Sequence, residues 1–326
     1  MNELASGSGA KARFRKWRSF RPDPHSRGFR LTAVLAGFLV FALVLVALYG
    51  REGRRSFAVE ALTGSATVRF DGSERAVWKL EDVVLCARRS RRAAPAAATE
   101  SHPGCASGLY EVRTVASLEF RWPAGQAIGM ESDGEMLAIT LSPVLAGEEP
   151  EALDVGDGGA PLAAGSRMLL DRKAVLRSSP LPVSGEVTIG TVPSGGVSGL
   201  LREGRYVVRE TLPWRDVPIT VSEGTLFTGD RLSFVAAGAS GAAQPAYGFL
   251  VGPDDVKPEF TMTVYSALGP SRMRIDRFAN ETALVSPSWT ERAVRDPILV
   301  AFTALFSLLT LFGGLGGSIY AFLFRR

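Results

Sequence analysis

The side chains in this sequence that could do chemistry are few: two cysteines, two histidines and a handful of clustered charges. Cys86 and Cys105 form an even pair, and in an oxidising compartment an even count reads as one disulfide. Closing the roughly 18-residue loop between them would stabilise a fold by about 3 kcal/mol in chain-entropy terms. Two free thiols would instead require a reducing compartment, and so the opposite membrane topology. His25 and His102 lie outside every predicted strand and have no partner at catalytic or metal-ligand spacing, which argues against a histidine triad or a histidine-rich zinc site. The sequence holds no G-x-S-x-G, H-E-x-x-H, Walker A or strand-linked G-x-G-x-x-G motif. Asp254-Asp255 in a Gly-Pro turn reads as surface polarity rather than an acid/base pair, and Asp154 and Asp157 lack the spacing of a calcium loop. Asn280-Glu281-Thr282 matches a glycosylation sequon, which matters only in a host that glycosylates exported proteins. No catalytic residue, cofactor site or metal site is therefore assigned.

The elements that would carry these residues are set by two uncharged apolar stretches. Leu31–Tyr49 is 19 residues without a charge, and Pro297–Phe324 is a second such run. At 1.5 Å per residue the first reaches about 28 Å, near the hydrocarbon thickness of a bilayer. A cleaved signal peptide is the rival reading, but its apolar core would be only about 7–15 residues long. The sequence thus predicts a basic cytoplasmic arm (1–30), a first transmembrane helix (31–50), an extracytoplasmic domain (51–296), a second transmembrane helix (297–324) and a cytoplasmic tail (325–326). Orientation follows from the eight basic residues that precede the first stretch. Arg277, Arg292 and Arg295 before the second stretch pull weakly the other way.

The chain has a net charge of +4, yet the arm carries +6 and the tail +2, leaving −4 on the middle. Basicity therefore belongs to the membrane ends, and nucleic acid is not an expected partner. In the arm, Phe14, Trp17 and Phe20 recur among Arg15, Lys16, Arg18 and Arg21. A short helix there would lie on anionic lipid, while a disordered flank would only set topology. Gly313 with Gly317, Gly314 with Ser318, and Ala33 with Gly37 have the small-x-x-x-small spacing that lets membrane helices approach closely. Arg88, Arg89, Arg91 and Arg92 form a cationic cluster between the cysteines that reads first as a solvated loop.

The middle of the chain predicts a mainly β domain, a sandwich or barrel-like fold of one or two lobes. Tyr110, Val112, Ala116, Leu118, Phe120 and Trp122 alternate with Glu111, Arg113, Ser117, Glu119 and Arg121, a strand with one buried face. Shorter strands are expected at 67–70, 77–80, 83–86, 136–141, 187–192, 206–212, 219–221, 232–236, 260–265 and 273–278, with turns at Asp71-Gly72 and Gly229-Asp230. The acidic stretch 146–165 is a loop or a lobe break. Ser288 should cap a helix over 289–295, with Glu291 completing a capping box and Trp289 near the membrane interface. The segment Glu223–Phe234, EGTLFTGDRLSF, resembles the β domain of two-span mitochondrial ubiquitin ligases and their prokaryotic relatives. The chain lacks the RING domain that follows the second span there, and the resemblance implies no function.

These features point to a two-pass protein of the inner or plasma membrane. The favoured activity is that of a non-enzymatic scaffold or interaction module of the cell envelope, with the lipid bilayer and a membrane or envelope protein, or a second copy, as partners. A sensor signalling through the basic arm is the alternative, and an envelope hydrolase a more distant one.

Overall fold

The computed structural model describes residues 53–305 except 90–101, 106–107, 134, 143–151, 157, 192–198, 212–216, 239–240, 254–256, 258 and 278–280. It also describes helical positions scattered through 36–47 and 307–311. Met1–Arg51 and Glu52–Arg326 are two separate compact units. Among the described residues no helix is long and apolar enough to cross a membrane. The described positions within 36–47 and 297–311 are helical, and they expose large apolar side chains such as Leu39, Phe302 and Leu308. The arm residues Phe14–Arg21 and the small residues Ala33, Gly37, Gly313, Gly314, Gly317 and Ser318 lie outside the described residues.

The second unit is mainly β. Among the described residues fifteen antiparallel strands, with β2 at Ser65–Phe70, β5 at Ala127–Ser132, β8 at Leu181–Ile189 and β11 at Arg231–Ala236, form one continuous sheet in the order β10-β9-β1-β13-β12-β8-β2-β5-β6-β7-β3-β4, with β11 joining β8 and leading through β14 to β15. The strands that matter below are β1 (Arg54–Thr63), β3 (Val77–Arg88), β4 (Tyr110–Arg121), β9 (Leu201–Thr211), β10 (Ile219–Leu226), β12 (Pro245–Val251), β13 (Phe260–Ser266), β14 (Ser271–Asp276) and β15 (Ala283–Val285). The sheet does not close into a barrel: its path ends at β10 on one side and β4 on the other. Strands β6 (Met136–Ser142) and β7 (Arg167–Asp171), which flank the acidic stretch 146–165, pair with each other.

Period-two burial builds the core. In β13, Phe260, Met262 and Val264 point inward while Thr261, Thr263 and Tyr265 stay partly exposed. Phe70, Trp78 and Trp122 form an aromatic nucleus: Phe70 and Trp122 stack with centroids 4.8 Å apart, and Trp78 meets Trp122 edge-on at 5.1 Å. The Trp78 indole donates to the Pro182 carbonyl at 2.6 Å, so the buried ring brings no orphan donor with it.

Strand β4 departs from expectation in one respect. Its alternation holds at the two ends but breaks in the middle, where Val115 packs on the core and Thr114 and Ala116 are exposed; only Leu118 and Phe120 are fully buried. The reason is position: β4 is an edge strand whose first half extends past the main core, and its charges guard the unpaired edge. The runs 77–80 and 83–86 merge into the single strand β3 across Asp82, which takes a φ of +49°.

Cys86 and Cys105 are joined in a disulfide with Cα atoms 5.9 Å apart. Cys86 lies in β3, and Cys105 precedes β4, its antiparallel neighbour, so the bond staples the base of a hairpin connection. Both cysteines are buried against Leu169. Replacing both with serine should lower the unfolding free energy by about 3 kcal/mol, read as a denaturation midpoint shift in the full-length chain in detergent. An unchanged midpoint would contradict the staple.

Candidate functional site

Burial separates one group of side chains from all others. Among the described residues five charged side chains are buried: Arg55, Glu210, Asp230, Arg292 and Asp296. Three of them (Arg55, Arg292 and Asp296) stand in the short segments that lead to the two apolar stretches. Glu210 meets two of the three.

The geometry starts from strand register. Arg55 and Glu210 are direct cross-strand partners on β1 and β9. Both fall on the inward parity of their strands: Arg55 is in phase with buried Phe57 and Val59, and Glu210 with buried Val208. Arg55 is 1% exposed and Glu210 0%. One Glu210 carboxylate oxygen accepts the Gly53 N–H at 2.9 Å and lies 3.7 Å from the Arg55 Nε. The other lies 3.0 Å from the Arg292 Nε. A Cβ at position 53 would overlap the Glu210 side chain, so glycine is needed for this approach.

Each arginine is tied further. Arg55 donates from Nη1 to the Ser286 hydroxyl at 3.0 Å, and its backbone exchanges two hydrogen bonds with Gly269, at 2.8 and 3.0 Å. Arg292 donates from Nη2 to the Pro287 carbonyl at 3.2 Å. Arg292 sits on helix α2 (Trp289–Arg295), the second described helix of this unit after α1 (Arg172–Ser178). The cap of α2 is as the sequence predicts: the Ser288 hydroxyl accepts from Glu291 N, and the Glu291 carboxylate accepts from Ser288 N at 2.8 Å. Asp296 ends α2 and starts the next helix: its carboxylate accepts the Ile298 N–H at 2.8 Å, and Pro297 takes the first helical position.

The cluster therefore joins the beginning of the domain (53–55) to its end (286–296) through one buried carboxylate. Taking these charges out of water is costly, and their attraction repays that cost only with close geometry and further hydrogen bonds. Here the Arg292 contact is close, at 3.0 Å, and the Arg55 contact longer, at 3.7 Å, while Gly53 N–H, Ser286 and the Pro287 carbonyl supply the hydrogen bonds. The arrangement fixes two chain segments side by side.

Two shallow grooves lie nearby. One, of about 360 Å³, runs between β10 and α2 and is lined by Val221, Glu223, Glu291, Val294 and Arg295. The other, of about 420 Å³, crosses β13, β1, β9 and β10 and includes Glu60, Arg205, Tyr206 and Tyr265. Across it Arg205 donates twice to the Glu60 carboxylate, at 2.9 and 2.6 Å. Burial raises the Tyr206 hydroxyl pKa; Arg277 opposes the shift and Glu291 adds to it. Burial pushes Asp276 up, but hydrogen bonds from Thr282 and Arg274, with the charges of Arg274 and Arg231, hold it below the usual carboxylate range.

Of the residues singled out in the sequence, the structure joins Cys86 to Cys105 and caps α2 with Ser288. His102 turns back on its own loop and accepts from Gly104 N at 3.2 Å. Arg91, Arg92, Asp254 and Asp255 lie outside the described residues. Among the described residues no group of three or more His, Cys, Asp or Glu could hold a metal ion. Nothing in the sequence alone brings the buried cluster together; of its members only Arg292 stands out there, as a charge before the second apolar stretch. A usable signal was there: a charge at the inward parity of a strand, as in Arg55-x-Phe57-x-Val59, marks a buried partner.

Truncating Glu210 to alanine leaves two buried guanidinium groups facing each other and should cost about 3–5 kcal/mol of stability. Replacing Arg55, Glu210 and Arg292 together with methionine, leucine and methionine should cost far less, because no unpaired charge remains. Thermal melts of the full chain in detergent compare the two, and equal loss in both would contradict the pairing. Comparisons with protein-family models, with curated proteins and with solved structures returned no match to this chain.

Proposed function

We propose that this chain is a two-pass inner or plasma membrane protein with both termini in the cytoplasm. Its β domain stands outside the membrane as a non-enzymatic scaffold or interaction module. The observation that carries the reading is the Arg55–Glu210–Arg292 cluster. It brings the first and last segments of the domain together within a few residues of the two apolar stretches. A domain held this way sends both chain ends off from one side, as two anchors in one bilayer require. The Asp296-Pro297 start supports the same reading, since it launches a helix straight into the second apolar stretch.

The disulfide fits an oxidising compartment beyond the cytoplasm. The shallow grooves fit protein contact better than small-molecule turnover, since ligand sites are concave and enclose most of the ligand.

Membrane vesicles washed with alkaline carbonate should retain the full-length chain, and protease added outside intact spheroplasts should digest the 51–296 region. Purification in mild detergent should bring down a second membrane or envelope protein or a second copy. Release by carbonate, or a mature chain starting near residue 50, would contradict the anchoring. Recovery as a bare monomer would contradict the scaffold role.

A further inference from the structure

Exposed apolar side chains gather at the end of the domain that holds the buried cluster. Arg54 pairs with Thr211, so the β9–β10 connection starts at this end and carries Val217, 66% exposed. The β13–β14 turn is fastened here by the two Arg55–Gly269 hydrogen bonds and carries Leu268, 44% exposed. Helix α2 is fastened here by Arg292 and carries Trp289 and Val294, 54% and 72% exposed. Two connections, where turn chemistry favours small and polar residues, and one helix thus each present large apolar side chains to solvent.

The chain itself says what covers them. Asp296 caps the helix that opens the second apolar stretch, and that helix shows Ile298, Val300 and Phe302 to its surroundings. Residue 53 follows the first apolar stretch by four positions. The chain therefore runs from this cluster into both segments read as lipid-embedded within a few residues. Exposed Arg54 and half-exposed Arg295 stand among them, suited to lipid phosphates. Other exposed apolar side chains, such as Leu109 and Leu176, stand singly elsewhere, and Phe227, at the other end of β10, lies under the Arg277 guanidinium, 5.6 Å from the ring centroid.

We propose that this end of the domain rests on the bilayer, with Val217, Leu268, Trp289 and Val294 at the depth of the lipid headgroups and upper acyl chains. The proposal rests on the anchoring reading above and adds to it a fixed orientation of the β domain, held down on the membrane surface rather than swinging above it. Arginines with aromatic and aliphatic side chains at a membrane boundary are the composition that binds there.

The test uses the full chain with its native cysteines in disulfide linkage. Val217→Cys, Leu268→Cys and Val294→Cys each carry a polarity-sensitive fluorophore, with Phe227→Cys as the far-end reference. All four sites are exposed, so the fold tolerates the label. The proteins are reconstituted into phosphatidylcholine/phosphatidylglycerol vesicles doped with nitroxide lipid, and flotation is scored on the same samples. The expected result is co-flotation with several-fold stronger lipid quenching at 217, 268 and 294 than at 227. Co-flotation with equal, weak quenching at all four sites would overturn the docking while leaving the anchoring intact. Shielding of the three labels from aqueous iodide without lipid quenching would overturn it too, and assign the surface to a protein. Failure to float would overturn the anchoring itself, and the docking with it.

Discussion

One carboxylate organises this protein. Glu210 has no solvent of its own, and its charge is met by a backbone N–H, by Arg292 and, further off, by Arg55. A buried ion is tolerable only while its partners stay in place, because the penalty for leaving one unpaired is several kcal/mol. The cluster is thus a constraint as much as a bond. If the segment at 53–55 or the helix at 289–295 moves away, buried charges lose their partners. Apolar contacts alone would permit sliding at either end, whereas hydrogen-bonded ions specify one arrangement.

The rest of the domain is built so that this point can be rigid. Strand β1 lies between β9 and β13, so Arg55 rests on a strand hydrogen-bonded on both sides. The Phe57 N–H donates to the Ser266 hydroxyl at 2.9 Å, and the Ser271 hydroxyl reaches the Arg55 carbonyl at 3.4 Å, so polar backbone groups around the cluster find partners. Far along the sheet the Phe70–Trp78–Trp122 nucleus and the Cys86–Cys105 staple secure the other half. The outer face stays open on β12 and β13, beside β1, and carries the stacked Tyr247 and Tyr265 rings, 6.0 Å apart.

What the sequence made legible follows from how strongly each element is written locally. Alternation over thirteen residues exposed β4, and Ser288 with Glu291 marked α2 to the residue, because a capping box depends on its own four positions alone. The cysteine count foretold the disulfide. Strand β1 escaped notice because its inward set begins with a charge, Arg55, where the pattern asks for an apolar residue. Strand β12 escaped because Tyr247 and Phe249 face outward, Gly248 interrupts the run, and Pro245 opens it. The fifteen-strand order was beyond reach, since β1 pairs with β9 and β13, both more than a hundred residues away. Local pattern carries no information about such partners. The candidate site failed to appear for the same reason: Arg55, Glu210 and Arg292 are unremarkable charges until the sheet register brings them together.

The central claim is that Glu210 links both ends of the domain at once, and energetic coupling tests it most directly. Two double-mutant cycles on the full chain, Glu210→Gln with Arg55→Met and Glu210→Gln with Arg292→Met, would each isolate one pairing. The account predicts a coupling of at least about 1 kcal/mol in both cycles, as contacting members of one charged network show. A coupling near zero in either cycle would mean that the carboxylate holds only one end, and the account would be contradicted.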